Sequence, residues 1–239
     1  MSVVLRSLLF AVFQIVVTTI FGTIGLATFP LPPLTRYRIV TMCSRLIVRA
    51  AEVLCGIRYR VIGAEHIPQA PCIILAKHQS AWETFAFQAI FPPHAWVVKR
   101  ELLWIPFFGW GLAMLSPIAI DRDSGMRALK QTLNQGRERL RQGFWIAVFP
   151  EGTRVAPGER GDYQIGGAWL AAKTATPVLP VAHNAGELWG RRAFLKYPGL
   201  VTVSIGGPIL PQGLTPKEIN SRVEDWIEAE MQRLAACRT

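Results

Sequence analysis

His78 and Glu83, in the run KHQSAWETF over residues 77–85, place a base and a carboxylate five positions apart. Histidine is the side chain best suited to take a proton near neutrality. A carboxylate that accepts from one ring nitrogen sets the tautomer and leaves the other nitrogen bare, the base-and-orienter half of a triad without a Ser or Cys nucleophile. On a regular helix, positions i and i+5 point ~140° apart at 3.6 residues per turn. The two groups therefore meet only if His78 precedes the helix and the chain turns at Gln79–Ser80. The competing reading is structural: Ser80 is an N-cap, and Glu83 closes a capping box by accepting the Ser80 N–H.

A second stretch, FPEGTR over Phe149–Arg154, ends an apolar run, the place where open α/β sheets bind ligands. Gly152 permits close backbone approach, and Thr153 and Arg154 offer donors to an oxyanion or phosphate. Pro and Gly also punctuate ordinary turns. Lys99, Arg100 and Arg122 each follow a candidate strand, where the ordinary reading is solvated strand-end charge. Between them LLWIPFFGWGLAML is apolar and aromatic, suited to core or to lipid contact. Val178-x-Pro180 ends a strand that delivers His183 and Asn184 to a loop, where a lone His is weak evidence of function.

The elements that would hold these residues follow from periodicity. Short β-rich runs at Arg58–Ile62, Cys72–Ala76, Ala95–Lys99, Ile118–Asp121, Trp145–Phe149, Val178–Val181 and Leu200–Ile205 alternate with helical patterns at Ala81–Phe91, Arg127–Gln142, Gly167–Thr174 and Pro216–Ala236. The pattern predicts an α/β fold, a central mixed sheet flanked by helices. The last helix has a capping box, Thr215 with Glu218, and Pro216 at its first position.

Residues 7–35 carry no charge, 29 residues against the ~20 that span a bilayer. The run is too long for a secretory signal and lacks a clean cleavage site. Gln14, Thr18, Thr19, Gly22, Gly25 and Pro30 interrupt it, so it reads as a membrane-embedded helix or a helical hairpin. Arg36, Arg38, Arg45 and Arg49 follow it, which by the positive-inside bias puts the rest of the chain on the cytoplasmic face of the cell (inner) membrane. Residues 39–55 read as a second helix, with Arg45, Arg49 and Glu52 on one face and Ile39, Cys43, Leu46, Ala50, Val53 and Leu54 mostly opposite. The expected organisation is an N-terminal membrane segment and amphipathic helix over 1–56 and one catalytic domain over 57–239.

Composition agrees. Apolar residues make up 51% and charged residues 18%, and the net charge is +10, a balance that suits a membrane surface, an acidic substrate or an acidic carrier. No nucleic-acid module and no block of five like charges appears, so no nucleic-acid partner is expected. Cys43, Cys55, Cys72 and Cys237 form no C-x-x-C pair and no metal spacing, and read as reduced structural residues.

In order, these stretches resemble the glycerolipid acyltransferases, specifically the bacterial 1-acylglycerol-3-phosphate acyltransferases. That family carries His-x4-Asp, a Lys-x-Glu-Leu segment running to Ile-Asp-Arg, Phe-Pro-Glu-Gly-Thr-Arg and a Val-x-Pro strand; all four occur here over residues 72–186, with Glu83 in place of the Asp. Glu keeps the charge and adds one methylene, and related acyltransferases use it. The resemblance implies that His78 is the general base for an acceptor hydroxyl and Glu83 its orienter. It implies that Lys99, Arg122, Glu151, Gly152, Thr153 and Arg154 form or shape the acceptor-phosphate site, and that Val178–Pro180 helps shape an acyl pocket. The implied reaction is acyl transfer to the sn-2 hydroxyl of lysophosphatidic acid, with acyl-coenzyme A or acyl-acyl carrier protein as co-substrate and no bound cofactor or metal. Because fold and motif do not dictate substrate, other lyso-acceptors (a lysophospholipid or an amino-acid lipid), a thioester hydrolase and a non-enzymatic anionic-lipid-binding module stay open at this point.

Overall fold

The computed structural model describes residues 2–121 and 124–236. Arg122 and Cys237, singled out above, lie outside them. Among the described residues one seven-stranded sheet runs β1-β7-β6-β2-β5-β3-β4. The strands are β1 (Ile57–Ile62), β2 (Ile73–Ala76), β3 (His94–Lys99), β4 (Ile118–Ile120), β5 (Trp145–Val148), β6 (Val178–His183) and β7 (Gly199–Ile205). Every pairing is parallel except β6 with β7, so the sheet is mixed, as expected.

Strand side chains alternate faces, and the two faces have separate cores. Ile74, Ala76, Trp96, Ala147, Leu179, Val181 and Val203 pack with residues of α1 (Val3–Ala27), α3 (Met42–Cys55) and α4 (Trp82–Ile90). Ile73, Leu75, Ala95, Val97, Ile146, Val178 and Ala182 pack with α6 (Met126–Arg141), α7 (Gly166–Thr174) and α8 (Pro216–Ala236). In α8, Ile219, Val223 and Ile227 form the buried stripe. Its capping box is present: Glu218 Oε2 accepts the Thr215 N–H at 2.7 Å and Thr215 Oγ1 accepts the Glu218 N–H at 3.3 Å. Both bonds are local, which is why sequence locates this helix end.

The N-terminal region departs from expectation in detail. The apolar run forms one long helix through Ala27, one of the two expected forms, and its last residues turn into a second helix from Pro33. The segment expected as a single helix over 39–55 is α2 (Pro33–Val40) and α3, separated at Thr41. The buried stripe of α3 is Ser44, Ile47, Val48, Ala50, Ala51 and Cys55, while Leu46 and Val53 face outward beside Arg45 and Arg49. The unexpected α5 (Phe108–Met114) contains Gly109 and Gly111, poor helix formers that hide it from propensity. Tertiary contact requires glycine at two positions here: a Cβ on Gly22 of α1 would collide with the Phe107 carbonyl, and one on Gly109 with the Leu103 carbonyl. Thus α1 packs closely along both α3 and α5.

Candidate active site

Strands β6, β2, β5, β3 and β4 are neighbours and parallel, so their carboxyl ends share one edge. His78 follows β2, FPEGTR follows β5, and Lys99 ends β3. The sheet therefore gathers stretches that are up to 77 positions apart by numbering (Lys77 to Arg154).

The chain turns at Lys77–Ala81 before α4, and His78 folds back over its first turn. Glu83 Oε1 accepts from His78 Nδ1 at 2.8 Å, from the Gln79 N–H at 3.0 Å and from the Ser80 N–H at 2.8 Å. The catalytic and capping readings of Glu83 are thus both realised, on one oxygen. Ser80 itself is not the N-cap: that position is Ala81, one residue later, and Ser80 Oγ accepts the Trp82 N–H at 3.0 Å. Glu83 is fully buried. Burial by itself would push its carboxyl up; the imidazoles of His183 and His78 and the Ser80 N–H outweigh that and hold it below the usual carboxylate range. An ionised carboxylate only accepts, so His78 carries its proton on Nδ1 and Nε2 is the bare nitrogen. Among the described residues Nε2 makes no hydrogen bond, and the ring stacks on Phe149 with centroids 3.8 Å apart and planes 8° apart.

His183 backs this pair. Its Nε2 bonds the Lys77 carbonyl at 2.9 Å, lies 4.0 Å from Glu83, and its Nδ1 accepts the Ala185 N–H at 3.3 Å. Burial pushes its pKa down, against the pull of the Glu83 carboxylate. It packs behind the site, and Asn184 Oδ1 takes the Thr202 N–H at 2.8 Å to tie β6 to β7.

Glu151 holds the backbone. Its Oε2 accepts the His78 N–H at 2.8 Å and its Oε1 lies 2.8 Å from Lys77 Nζ. Lys77, only 1% exposed, also reaches Glu228 Oε1 of α8 at 2.8 Å and the Glu159 carbonyl at 3.2 Å, and the Tyr163 hydroxyl donates to the same Glu228 oxygen at 2.8 Å. Burial pushes the Glu151 carboxyl up, against the pull of Lys77 and the His78 N–H. Replacing Lys77 with methionine leaves two carboxylates without their shared cation. A broken buried ion pair costs about 3–5 kcal/mol, which for a domain of this size lowers the melting temperature by about 10 °C. The companion substitution Glu228→Gln should restore part of the loss in the Lys77→Met background. Thermal unfolding in detergent checks both; an unchanged midpoint for Lys77→Met would show that the buried charges are not coupled.

The remaining FPEGTR residues divide. Gly152 has φ 68°, a left-handed turn that favours glycine, and Thr153 is exposed. Half-buried Arg154 donates from Nε to the Ser80 carbonyl at 2.8 Å, leaving its terminal nitrogens for a ligand. Lys99 is exposed at the end of β3, next to cavity-lining Val98.

A cavity of about 850 Å³ opens beside His78, Phe149 and Arg154 and is bounded by α1, α3, α4 and α5. Gln14, Thr18 and Thr19, the polar residues that interrupt the apolar run, line it from α1, which explains their place in an otherwise apolar helix. Val178–Pro180 does not line this cavity: it is buried in β6, in register with Ile73–Leu75 at the far side of β2 from β5. The apolar wall comes from helices instead, because the cavity lies over the strand ends and Val178 begins its strand. Sequence reasoning also missed the Lys77–Glu228 brace and the Phe149 stack. A lysine closing the apolar run CIILA was a signal that it needed a buried partner; nothing local names Glu228 as that partner.

The family model described as acyltransferase matches residues 58–184. A 1-acyl-sn-glycerol-3-phosphate acyltransferase of Pseudomonas aeruginosa is 44% identical over 236 residues, covering 97% of this chain and 92% of the relative. One of Saccharomyces cerevisiae is 31% identical over 188 residues, 76% of this chain and 61% of that protein. The crystal structure of the 1-acyl-sn-glycerophosphate (LPA) acyltransferase of Thermotoga maritima superimposes with a TM-score of 0.81 at 26% identity, over 97% of this chain and 95% of that one.

Proposed function

The chain belongs to the acyltransferase family, and from that premise we propose that it transfers a fatty acyl group from an acyl thioester to the sn-2 hydroxyl of lysophosphatidic acid, giving phosphatidic acid. The observation that carries the reading is the dyad: His78 with Nδ1 held by buried Glu83 and Nε2 unengaged at an apolar cavity.

In the proposed step the acceptor hydroxyl donates to His78 Nε2. As its oxygen adds to the thioester carbonyl carbon, the proton passes to Nε2 and the carbonyl π electrons move to oxygen. Collapse re-forms the carbonyl and breaks the C–S bond, and the leaving thiolate takes the proton back from Nε2. Glu83 steadies the imidazolium between the two transfers. The thioester is already activated, so a positioned base supplies what the acceptor lacks, typically ~10²–10⁴ in rate. Arg154 receives the acceptor phosphate, with Lys99, at a neighbouring strand end, and Arg122 contributing positive charge; Gly152 and Thr153 give the turn its shape, and Glu151 holds the His78 backbone. The cavity takes the acyl chain, its volume falling within the ~300–1,000 Å³ of ordinary ligand pockets. The donor is acyl-coenzyme A or acyl-acyl carrier protein.

Residues 1–56 serve as the anchor and 57–239 as the acyltransferase domain. The α1 helix is long and apolar enough to cross a membrane. It is, however, held to the domain at both ends: Ser7 Oγ accepts the Lys196 N–H at 3.0 Å, and Gly22 meets Phe107. Val4, Leu8, Val12, Ile15 and Val16 form an outward apolar face. A helix attached along its length enters lipid together with the surface it packs on, so we place α1 in the membrane interface with its outward face immersed and the domain on the cytoplasmic side.

The test is a purified-protein assay with one labelled acyl thioester across lysophosphatidic acid, lysophosphatidylcholine, a lyso amino-acid lipid and monoacylglycerol. Lysophosphatidic acid should give the highest kcat/KM, by tenfold or more. Faster turnover of a phosphate-free acceptor, or thioester hydrolysis without transfer, would overturn the reading.

A further inference from the structure

Arg154 has basic company that does not come from its own stretch. Arg191 Nη1 donates to the Arg154 backbone carbonyl at 3.0 Å. Arg192 follows with φ 56°, a left-handed backbone uncommon outside glycine. Both arginines are exposed, yet the loop that carries them is pinned. Trp189 before them is buried against Phe10 of α1, with ring centroids 5.0 Å apart, and Lys196 after them is buried and bonds Ser7 through its backbone. Burial pushes the Arg154 pKa down, and the charges of Arg191 and Arg192 add to that. Glu83 favours the Arg154 cation but already receives three hydrogen bonds.

Four arginines of this chain are paired with carboxylates, Arg49 with Glu52, Arg141 with Glu138, Arg160 with Glu224 and Arg233 with Glu230. Among the described residues, Arg154, Arg191 and Arg192 have no carboxylate within ion-pair distance. Arg154 lines the cavity that holds the base, and the pinned loop sets Arg191 against its backbone; cations gathered in this way match an anion with several acceptor oxygens, because guanidinium forks bind such groups with paired charge-assisted hydrogen bonds.

We propose that Arg191 and Arg192 join Arg154 in one guanidinium cluster that binds a phosphate monoester carried by a substrate. The proposal rests on reading Arg154 as the phosphate ligand of an acyl transfer site, and it adds residues from the β6–β7 connection that no motif marks. Two substrates carry such a group, the acceptor headgroup and the ribose of a coenzyme A donor, and the experiment separates them.

Arg191→Ala, Arg192→Ala and Arg191→Lys would be assayed in four arms: lysophosphatidic acid against monoacylglycerol at fixed acyl-coenzyme A, and acyl-coenzyme A against the phosphate-free N-acetylcysteamine thioester at fixed lysophosphatidic acid. If the cluster holds the acceptor, each alanine variant raises the lysophosphatidic acid KM about tenfold, on the scale of one lost charge-assisted contact. The monoacylglycerol KM and kcat then stay within threefold, and lysine rescues part. If it holds the donor, the same rise appears for acyl-coenzyme A and not for the short thioester. KM values within twofold of wild type in every arm, or equal losses with and without phosphate, would overturn the proposal. So would a loss that follows weaker sedimentation with phosphatidylglycerol vesicles, which would assign the arginines to the membrane surface. Calorimetric binding of glycerol 3-phosphate reads the cluster without turnover. It should weaken at least tenfold in Arg191→Ala, and unchanged binding rejects the cluster. A wild-type protein that binds the phosphate but transfers no acyl group would instead reject the acyltransferase reading and leave the cluster standing.

Discussion

His78→Ala should lower kcat for acyl transfer by about 10²–10⁴-fold, the usual cost of removing a general base, with the fold and membrane association retained. The site geometry separates these effects. The His78 backbone is held independently of its ring, by Glu151 accepting its N–H at 2.8 Å and by its carbonyl accepting the Val155 N–H at 2.8 Å. Glu83 would keep the Gln79 and Ser80 N–H groups and so would not become an unsatisfied buried charge. What disappears is Nε2, together with the stacking on Phe149. The measurements are kcat with saturating lysophosphatidic acid, the melting temperature and vesicle sedimentation. A rate within a few-fold of wild type would remove His78 from the mechanism.

Glu83 variants should rank Glu, then Asp, then Gln in activity, with Gln lower than wild type by about 10² or more, the scale of catalytic proton-transfer contributions. Glutamine keeps an oxygen that can accept the Ser80 N–H, so the cap survives. It lacks the charge that favours the imidazolium formed when Nε2 takes a proton. Aspartate keeps the charge but withdraws it by one C–C bond, roughly 1.5 Å, so it cannot hold three donors now at 2.8–3.0 Å at once. Activity of Glu83→Gln equal to wild type would reduce Glu83 to a helix cap. Stability carries a signature of the same charge. The folded carboxyl lies below its ordinary range, so its ionisation stabilises the fold above the unfolded-state pKa. That contribution falls away as pH drops through the folded-state pKa. Denaturant unfolding at acidic pH should therefore show a shallower pH dependence in Glu83→Gln than in wild type.

The sequence by itself determined what is local. Short apolar, β-rich runs placed seven strands within a residue or two of their ends, since strands covered on both faces need apolar side chains on both. The Thr215–Glu218 box marked the start of α8 because its partners are three residues apart. His78, Glu83 and FPEGTR were readable as chemistry because each sits where an apolar strand stops and the chain can turn. Only the tertiary structure decided how these pieces meet. It showed that one Glu83 oxygen serves both the histidine and the helix start, since ring orientation depends on Phe149, which arrives from another strand. It paired Lys77 with Glu228, 151 positions away, because any of many carboxylates could have neutralised that lysine until α8 was laid across the sheet. It turned Gln14, Thr18 and Thr19 toward the cavity, set Gly22 of α1 against Phe107 just before α5, and brought Arg191 to Arg154. Hydrogen-bond geometry and periodicity act over a few residues, whereas burial and charge pairing depend on which distant surfaces the fold brings into contact.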